Sequence, residues 1–170
     1  QQMTFLTDAG VFSKKMIDYG SRVLLSALEF NKKETLLDVG CGYGTLGLTL
    51  AKAQELEVTL VDINQRALDL ARKNADANQV SADIFQSNVY EHVTGQFHHI
   101  ISNPPIRAGK QVVHEVISGS YDHLLADGDL TIVIQKKQGA PSAKAKMEEV
   151  FGNCETLKKD KGYYILRSVK

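Results

Sequence analysis

A chain of 170 residues has the length of one domain and can bury about 70% of its unfolded surface without disulfide support. Twenty Lys and Arg balance twenty Asp and Glu, so no net basic field would hold nucleic acid indiscriminately and any polyanion site must be local. Cys41 and Cys154 form neither a metal spacing nor a disulfide framework, and neither a membrane-length apolar run nor a charged leader occurs, which predicts a reduced, cytoplasmic protein with no membrane contact.

Met3 follows Gln1 and Gln2, so the gene product is expected to continue upstream. Residues 4–13, aromatic and punctuated by Gly10, predict a loop with little regular structure. A helix is expected over 18–30, with Val23, Leu24, Ala27 and Leu28 on one face and Asp18 at its start. Residues 1–30 would thus cover the ligand site of a single domain spanning 1–170. A first strand with Leu36, Leu37 and Val39 then breaks into Gly40, Cys41, Gly42, Tyr43 and Gly44, before a helical pattern from about Thr45 carrying Leu46, Leu48, Leu50 and Ala51. Closely spaced glycines let the backbone turn sharply and approach a ligand. Gly42, Gly44 and Gly47 also spell the dinucleotide pattern, with Asp62 about twenty residues on. Asp38 decides against that reading. A carboxylate at the end of the first strand repels a pyrophosphate, whereas S-adenosylmethionine has no phosphate and carries an ammonium beside a sulfonium.

The run from Asp38 to Gly44 resembles the first motif of the class I S-adenosylmethionine-dependent methyltransferases. The resemblance implies an α/β, Rossmann-like fold: a mostly parallel seven-stranded sheet, helices on both faces and a C-terminal antiparallel hairpin. It implies S-adenosylmethionine as cofactor, held by Asp38, Gly40, Cys41, Gly42, Gly44, Asp62, Ile63 and Asn88. The second strand, 58–61, ends in Asp62, which can accept both ribose hydroxyls or cap the next helix, a role Asn64 could also fill. That helix, 64–78, carries Ala67, Leu68, Ala71 and Ala75. After a third strand, 82–85, Asn88 stands where class I enzymes set a polar side chain against the adenine amino group; an ordinary turn explains it almost as well. A fourth strand, 97–102, is followed by a helix with Val112, Val113, Val116 and Ile117, a turn at Asp127 and Gly128, and a fifth strand, 130–134. Pro141 and Ser142 open a last helix through 151, and 156–157 with 163–166 read as the terminal hairpin, a methyltransferase rather than a dehydrogenase feature.

Two of the three prolines in the chain, Pro104 and Pro105, are adjacent at the end of the fourth strand. Neither has an N–H, each fixes its own φ, and Pro104 pushes Asn103 toward an extended backbone. Such a corner offers acceptors and few donors. It suits an amino group, whose two hydrogens can go to the Asn103 side-chain oxygen and to a backbone carbonyl, that of Pro104 first. Held so, a delocalised nitrogen can develop charge as it attacks a sulfonium methyl in line.

Asn-Pro-Pro followed by an aromatic residue is the signature of methyltransferases acting on adenine, guanine or glutamine amino groups, and here the fourth residue is Ile106. An apolar sandwich of Ile106 with Phe5, Phe12 or Tyr43 would have to replace aromatic stacking. The longer run from Ser102 to Lys110, with Gly10 to Ser13 and Asp18 to Ser21, looks like the small methyltransferase domain family, which includes ribosomal RNA guanine-N2 methyltransferases of the small subunit. That resemblance implies catalytic roles for Asn103, Pro104, Pro105 and Ile106.

Up to Asn103 there are nine Lys and Arg against twelve Asp and Glu, and after it eleven against eight, so the positive excess lies downstream. Arg107 and Lys110 follow the catalytic turn and Lys136 and Lys137 follow the fifth strand, placing four cations to grip phosphates around a splayed-out base. Lys144, Lys146, Lys158, Lys159 and Lys161 read as solvated surface. His92, His98, His99, His114 and His123 share no ligand spacing, so no metal is expected. The leading expectation is transfer of a methyl group to guanine N2 of ribosomal RNA or of the small ribosomal subunit by a monomer or weak homo-oligomer. A protein-glutamine or adenine-N6 methyltransferase, or an idle cofactor-binding RNA module, is the alternative.

Overall fold

A computed structural model of the chain describes residues 3–6, 12–14 and 19–170. Nine strands and five helices alternate in the described residues: β1 (Thr4–Leu6), β2 (Phe12–Lys14), α1 (Tyr19–Ala27), β3 (Thr35–Val39), α2 (Thr45–Gln54), β4 (Glu57–Asp62), α3 (Gln65–Ala77), β5 (Ala82–Gln86), β6 (Phe97–Ser102), α4 (Gly109–Ser120), β7 (Leu124–Gln135), α5 (Ala140–Phe151), β8 (Glu155–Asp160) and β9 (Tyr163–Val169). Seven strands form one sheet in the order β5-β4-β3-β6-β7-β9-β8. β5, β4, β3, β6 and β7 run parallel, and β9 joins antiparallel to both β7 and β8. The expected fold is therefore present, terminal hairpin included.

Alternation along the strands builds two cores, because successive side chains leave opposite faces. Leu36, Val58, Leu60, Ile101, Val133 and Ile165 meet α1, α2 and α3 on one face. Leu37, Val39, Val61, Ile100, Ile132 and Leu166 meet α4 and α5 on the other. The strand order reverses between β3 and β6, and at such a switch point the two flanking connections leave on opposite faces and open a crevice.

Three expectations need correction. Residues 4–13 are not simply irregular: β1 and β2 pair antiparallel, Thr4 opposite Lys14 and Leu6 opposite Phe12. The helix expected over 18–30 is shorter, Tyr19–Ala27, and Asp18 lies outside the described residues. Asp127 and Gly128 do not precede the fifth strand but sit within β7 as an interruption, where the pairing with β6 jumps from Phe97–Leu124 to His99–Asp129. Asp127 has φ +68°, and a Cβ on Gly128 would lie 2.8 Å from the carbonyl oxygens of His98 and Leu125. The Lys170 N–H donates to the Gly128 carbonyl at 2.9 Å, so the last residue of the chain closes the interruption.

What anchors β1 is a pair of buried amides four residues apart, Asn74 in α3 and Asn78 at its C-cap. The Thr4 N–H donates to Asn78 Oδ1 (3.0 Å) and Asn78 Nδ2 to the Thr4 carbonyl (2.7 Å). Asn74 makes the same two-way exchange with Leu6, and its Nδ2 also donates to the Tyr43 carbonyl at 2.8 Å, inside the glycine loop. A helix thus offers strand-like partners to the edge of a ribbon. Asn74→Ala leaves the Leu6 N–H, the Leu6 carbonyl and the Tyr43 carbonyl to find other partners, and is expected to cost about 2 kcal/mol of unfolding free energy. Urea denaturation measures this, and an unchanged midpoint would contradict the anchoring role.

His99, on β6, joins two carboxylates: its Nδ1 is 2.7 Å from Asp129 Oδ1 and its Nε2 2.9 Å from Glu34 Oε1, while Phe30 stacks on its ring and Arg167 holds the other Asp129 oxygen. Burial pulls the His99 pKa down, but the hydrogen bonds and charges of Asp129 and Glu34 outweigh it and leave the value raised. Burial pushes Glu34 up, and its bond to His99 leaves it lowered overall. The sign follows: the His99 contribution is full below its unfolded pKa near 6.5 and is lost as pH rises through the raised folded value. Substituting His99→Gln is expected to lower the melting temperature by a few degrees at pH 6 and by less at pH 8. A gap that widened toward pH 8 would sink this assignment.

Candidate active site

All five parallel strands end at one edge, and the residues expected to act follow those ends. Leaving β3, the glycine loop winds with positive φ at Gly40 (+75°), Gly42 (+57°) and Gly44 (+92°), a backbone that residues with a Cβ rarely adopt. The Gly40 and Cys41 N–H groups both donate to the Val61 carbonyl, and the Gly42 N–H to Asp62 Oδ2 at 2.8 Å. Gly47 serves packing. A Cβ there would lie 2.4 Å from Leu60 Cδ2 and 3.1 Å from Asp38 Oδ2, so α2 can settle on the sheet only without a side chain at this position.

Asp38 lies beneath this loop, 2% exposed, and its Oδ2 is buried with no hydrogen-bond partner. Burial above all, with the nearby Asp62 charge adding and the Gly47 N–H opposing, pushes its pKa up to about 7. An orphaned buried acceptor costs stability unless a donor or cation arrives, and the ammonium of S-adenosylmethionine is both. Asp62 serves loop and helix start at once: Oδ2 takes the Gly42 N–H and Oδ1 the Asn64 N–H at 2.9 Å. Asn64 itself caps α3, its Oδ1 accepting from the N–H groups of Arg66 and Ala67. Each Asp62 oxygen retains a second acceptor direction for a ribose hydroxyl. Beside it Ile63 is 61% exposed, the most exposed large apolar side chain among the described residues, and its carbonyl accepts from Gln86 Nε2. Asn88 follows β5 and is exposed. These residues fit S-adenosylmethionine: a buried acid for its ammonium, an acceptor pair for a ribose and an apolar face for a base.

Cys41 Sγ donates to the Gly42 carbonyl, and burial pushes its thiol well up from the usual range, so it packs the loop rather than acting as a nucleophile.

β6 delivers the proline turn. Ser102 Oγ donates to the Val39 carbonyl at 2.9 Å, tying the end of β6 to the end of β3 one residue beyond their paired backbones. Asn103 Nδ2 donates to Ser21 Oγ of α1 at 2.9 Å, which turns the amide nitrogen toward α1. Pro104 is buried and Pro105 exposed. A 3₁₀ turn, Ile106–Ala108, follows, and the Ala108 N–H closes it on the Pro105 carbonyl at 2.9 Å. Gln138 Nε2 bonds the carbonyls of Pro104 (3.1 Å) and Pro105 (3.0 Å). Sequence reasoning missed Gln138 and Asn74. Ser102 and Ser21 stood only within runs marked for their resemblance. None has a local signal, because each partner is distant in the chain.

Arg107 lies in the 3₁₀ turn, Lys110 in the first turn of α4, and Lys136 and Lys137 in the turn after β7; all four are exposed. The lysines and arginines in ion pairs among the described residues are others: Lys32, Arg72, Lys146 and Arg167. The Lys136 N–H donates to the Gly162 carbonyl, which brings the tip of the terminal hairpin to the same edge. Lys161, read from sequence as plain surface, stands there over the Tyr19 ring at 5.3 Å. Phe5 cannot stack on a base: it is 1% exposed, inside the core. Phe12 lies in β2 and Ile106 in the 3₁₀ turn, and the stacking expected of their side chains falls outside the described residues. A cavity of about 620 Å³ opens at the opposite edge, between Thr35, Lys52, Glu57, Val80 and Phe97, away from all of these groups.

The sequence pattern of the methyltransferase small domain matches residues 2–167. The chain belongs to that family. It is a methyltransferase domain that takes its methyl group from S-adenosylmethionine. It is 47% identical over 175 residues to the uncharacterized protein YbxB of Bacillus subtilis (strain 168), covering 100% of this chain and 87% of that protein. With ribosomal RNA small subunit methyltransferase C of Erwinia tasmaniensis it shares 37% identity over 174 residues, 99% of this chain and 50% of the relative. Among solved structures, the Thermus thermophilus 16S rRNA N2 G1207 methyltransferase in complex with AdoMet and guanosine superposes with a TM-score of 0.84 at 26% identity, over 100% of this chain and 50% of that one. The domain spans about half the length of these ribosomal RNA methyltransferases. Among the described residues no helix is long and apolar enough to cross a membrane.

Proposed function

We propose that this methyltransferase domain methylates an exocyclic amino group, with guanine N2 of small-subunit ribosomal RNA as its substrate. The observation that carries the reading is the acceptor-rich turn of Asn103 and Pro104 at the end of β6, across the switch point from the glycine loop. S-adenosylmethionine supplies an electrophilic methyl on its sulfonium. Asp38 meets its ammonium, Asp62 the ribose hydroxyls, Ile63 the adenine face, and Asn88 the adenine amino group. Asn103 Oδ1 and the Pro104 carbonyl accept the two hydrogens of the substrate amine, which strengthens as positive charge builds on nitrogen. Bound S-adenosylmethionine would give up its sulfonium methyl to this nitrogen, leaving a neutral thioether, and the surplus proton of the amine would leave to water. Arg107, Lys110, Lys136 and Lys137 contact phosphates of the RNA around the target. Support for guanine comes from the Thermus thermophilus relative, which was solved with AdoMet and guanosine.

The test is incubation with methyl-labelled S-adenosylmethionine and three acceptor pools: unmodified ribosomal RNA with its small subunits, DNA, and cell protein. Label recovered as N2-methylguanosine in RNA supports the proposal. Label in DNA adenine or protein glutamine keeps the amine turn and replaces the substrate. No label, with cofactor binding intact, points to an idle RNA-binding module.

A further inference from the structure

We propose that Gln138 is a positioning residue for the amine-accepting turn, holding the Pro104 and Pro105 carbonyls and leaving Pro104 as the one that receives the substrate; this rests on the reading of the turn given above. Gln138 closes the 3₁₀ turn Lys136–Gln138 after β7, thirty-three and thirty-four residues from the prolines it touches. Both hydrogens of its carboxamide are engaged. Nε2 donates to the Pro104 carbonyl at 3.1 Å and the Pro105 carbonyl at 3.0 Å, while Oε1 accepts the Gln135 N–H at 3.3 Å. Gln135 is pinned in turn, its side chain accepting from the Gln138 backbone and its Nε2 donating to the Tyr163 hydroxyl at 2.9 Å on β9.

Two consecutive prolines have no N–H with which to fix their own turn, so donors must come from elsewhere. Gln138 brings two on one planar group. A carbonyl oxygen has two acceptor directions. Those of Pro105 are both taken, by the Ala108 N–H and by Gln138. Pro104 has one taken, by Gln138. The geometry therefore selects Pro104 over Pro105 as the carbonyl partner of Asn103 and fixes its direction before substrate arrives, which is where preorganised acceptors gain their effect.

The test compares wild type with Gln138→Met, which keeps length without polar atoms, and Gln138→Glu, which keeps the acceptor for Gln135 and sets an oxygen against the two carbonyls. Turnover on unmodified small-subunit ribosomal RNA is measured together with KM and calorimetric Kd for S-adenosylmethionine and with the melting temperature. Hydrogen exchange at the Ala108 amide is read independently of activity. The expected result is kcat lowered roughly 10- to 100-fold, KM and Kd for S-adenosylmethionine within about twofold, and Ala108 exchange about tenfold faster. Wild-type kcat and wild-type Ala108 exchange in both variants would overturn the proposal. So would losses of kcat, cofactor affinity and melting temperature in parallel, the pattern of a merely structural residue. Asn103→Ala is the control: if it keeps full turnover, the reading of the turn fails, while Ala108 exchange still decides whether Gln138 holds it.

Discussion

Asn103→Ala should reduce turnover by about 1000-fold while the Kd for S-adenosylmethionine stays within about twofold of wild type. The asymmetry is the point of the experiment. Asn103 follows β6 across the switch point from the glycine loop, and its carboxamide is aligned by the bond from Nδ2 to Ser21. An acceptor that strengthens only as the amine gains positive charge lowers the barrier without tightening the cofactor. Loss of the Ser21 contact adds a modest drop in melting temperature, which measurement at saturating cofactor separates from chemistry. Strong weakening of cofactor binding would mean that Asn103 belongs to the glycine-loop side instead.

At Asp38, stability and binding should move in opposite directions. Its pKa is raised to about 7, chiefly by burial. A carboxyl whose folded pKa exceeds its unfolded value of about 3.8 contributes stability that is full below 3.8 and lost as pH rises through about 7. Asp38→Asn removes that loss. The cofactor-free variant is expected to melt about 5 °C higher than wild type at pH 8, with the gap closing as pH falls toward 4. Its affinity for S-adenosylmethionine should fall on the order of 100-fold, because the ammonium loses a desolvated counter-charge. Between pH 5 and 7 the wild-type affinity should rise with pH and that of the variant stay flat. If the variant binds the cofactor as tightly as wild type, Asp38 is a buried structural carboxyl and the ammonium is met elsewhere.

The strands and helices of the sheet were readable because their signals are local. Alternation in Leu36, Leu37 and Val39, the amphipathic run of α3 and the glycines after β3 each state their structure within a few residues. The interruption in β7 was misread for a physical reason. Asp127 and Gly128 carry the signal of a strand-separating turn, and only the pairing of β7 with β6 and β9 carries the strand through it. The β1–β2 ribbon escaped notice because its strands are three residues long and β1 is held by Asn74 and Asn78, in α3 and at its C-cap, about seventy residues away.

Sequence by itself pointed to the cofactor and to a turn suited to an amine: Asp38 before Gly40, Gly42 and Gly44 asks for a cation rather than a phosphate, and Asn103-Pro104-Pro105 is poor in donors by covalent structure alone. Tertiary structure decided how those groups are held. It buried Asp38 Oδ2 without a hydrogen-bond partner, withdrew Phe5 into the core, and brought the hairpin tip with Lys161 to the edge where the proline turn lies. It also spent one acceptor direction of Pro104 and both of Pro105. Burial and hydrogen-bond saturation are properties of neighbours, and the neighbours of Pro104 and Asp38 arrive from strands and helices far along the chain.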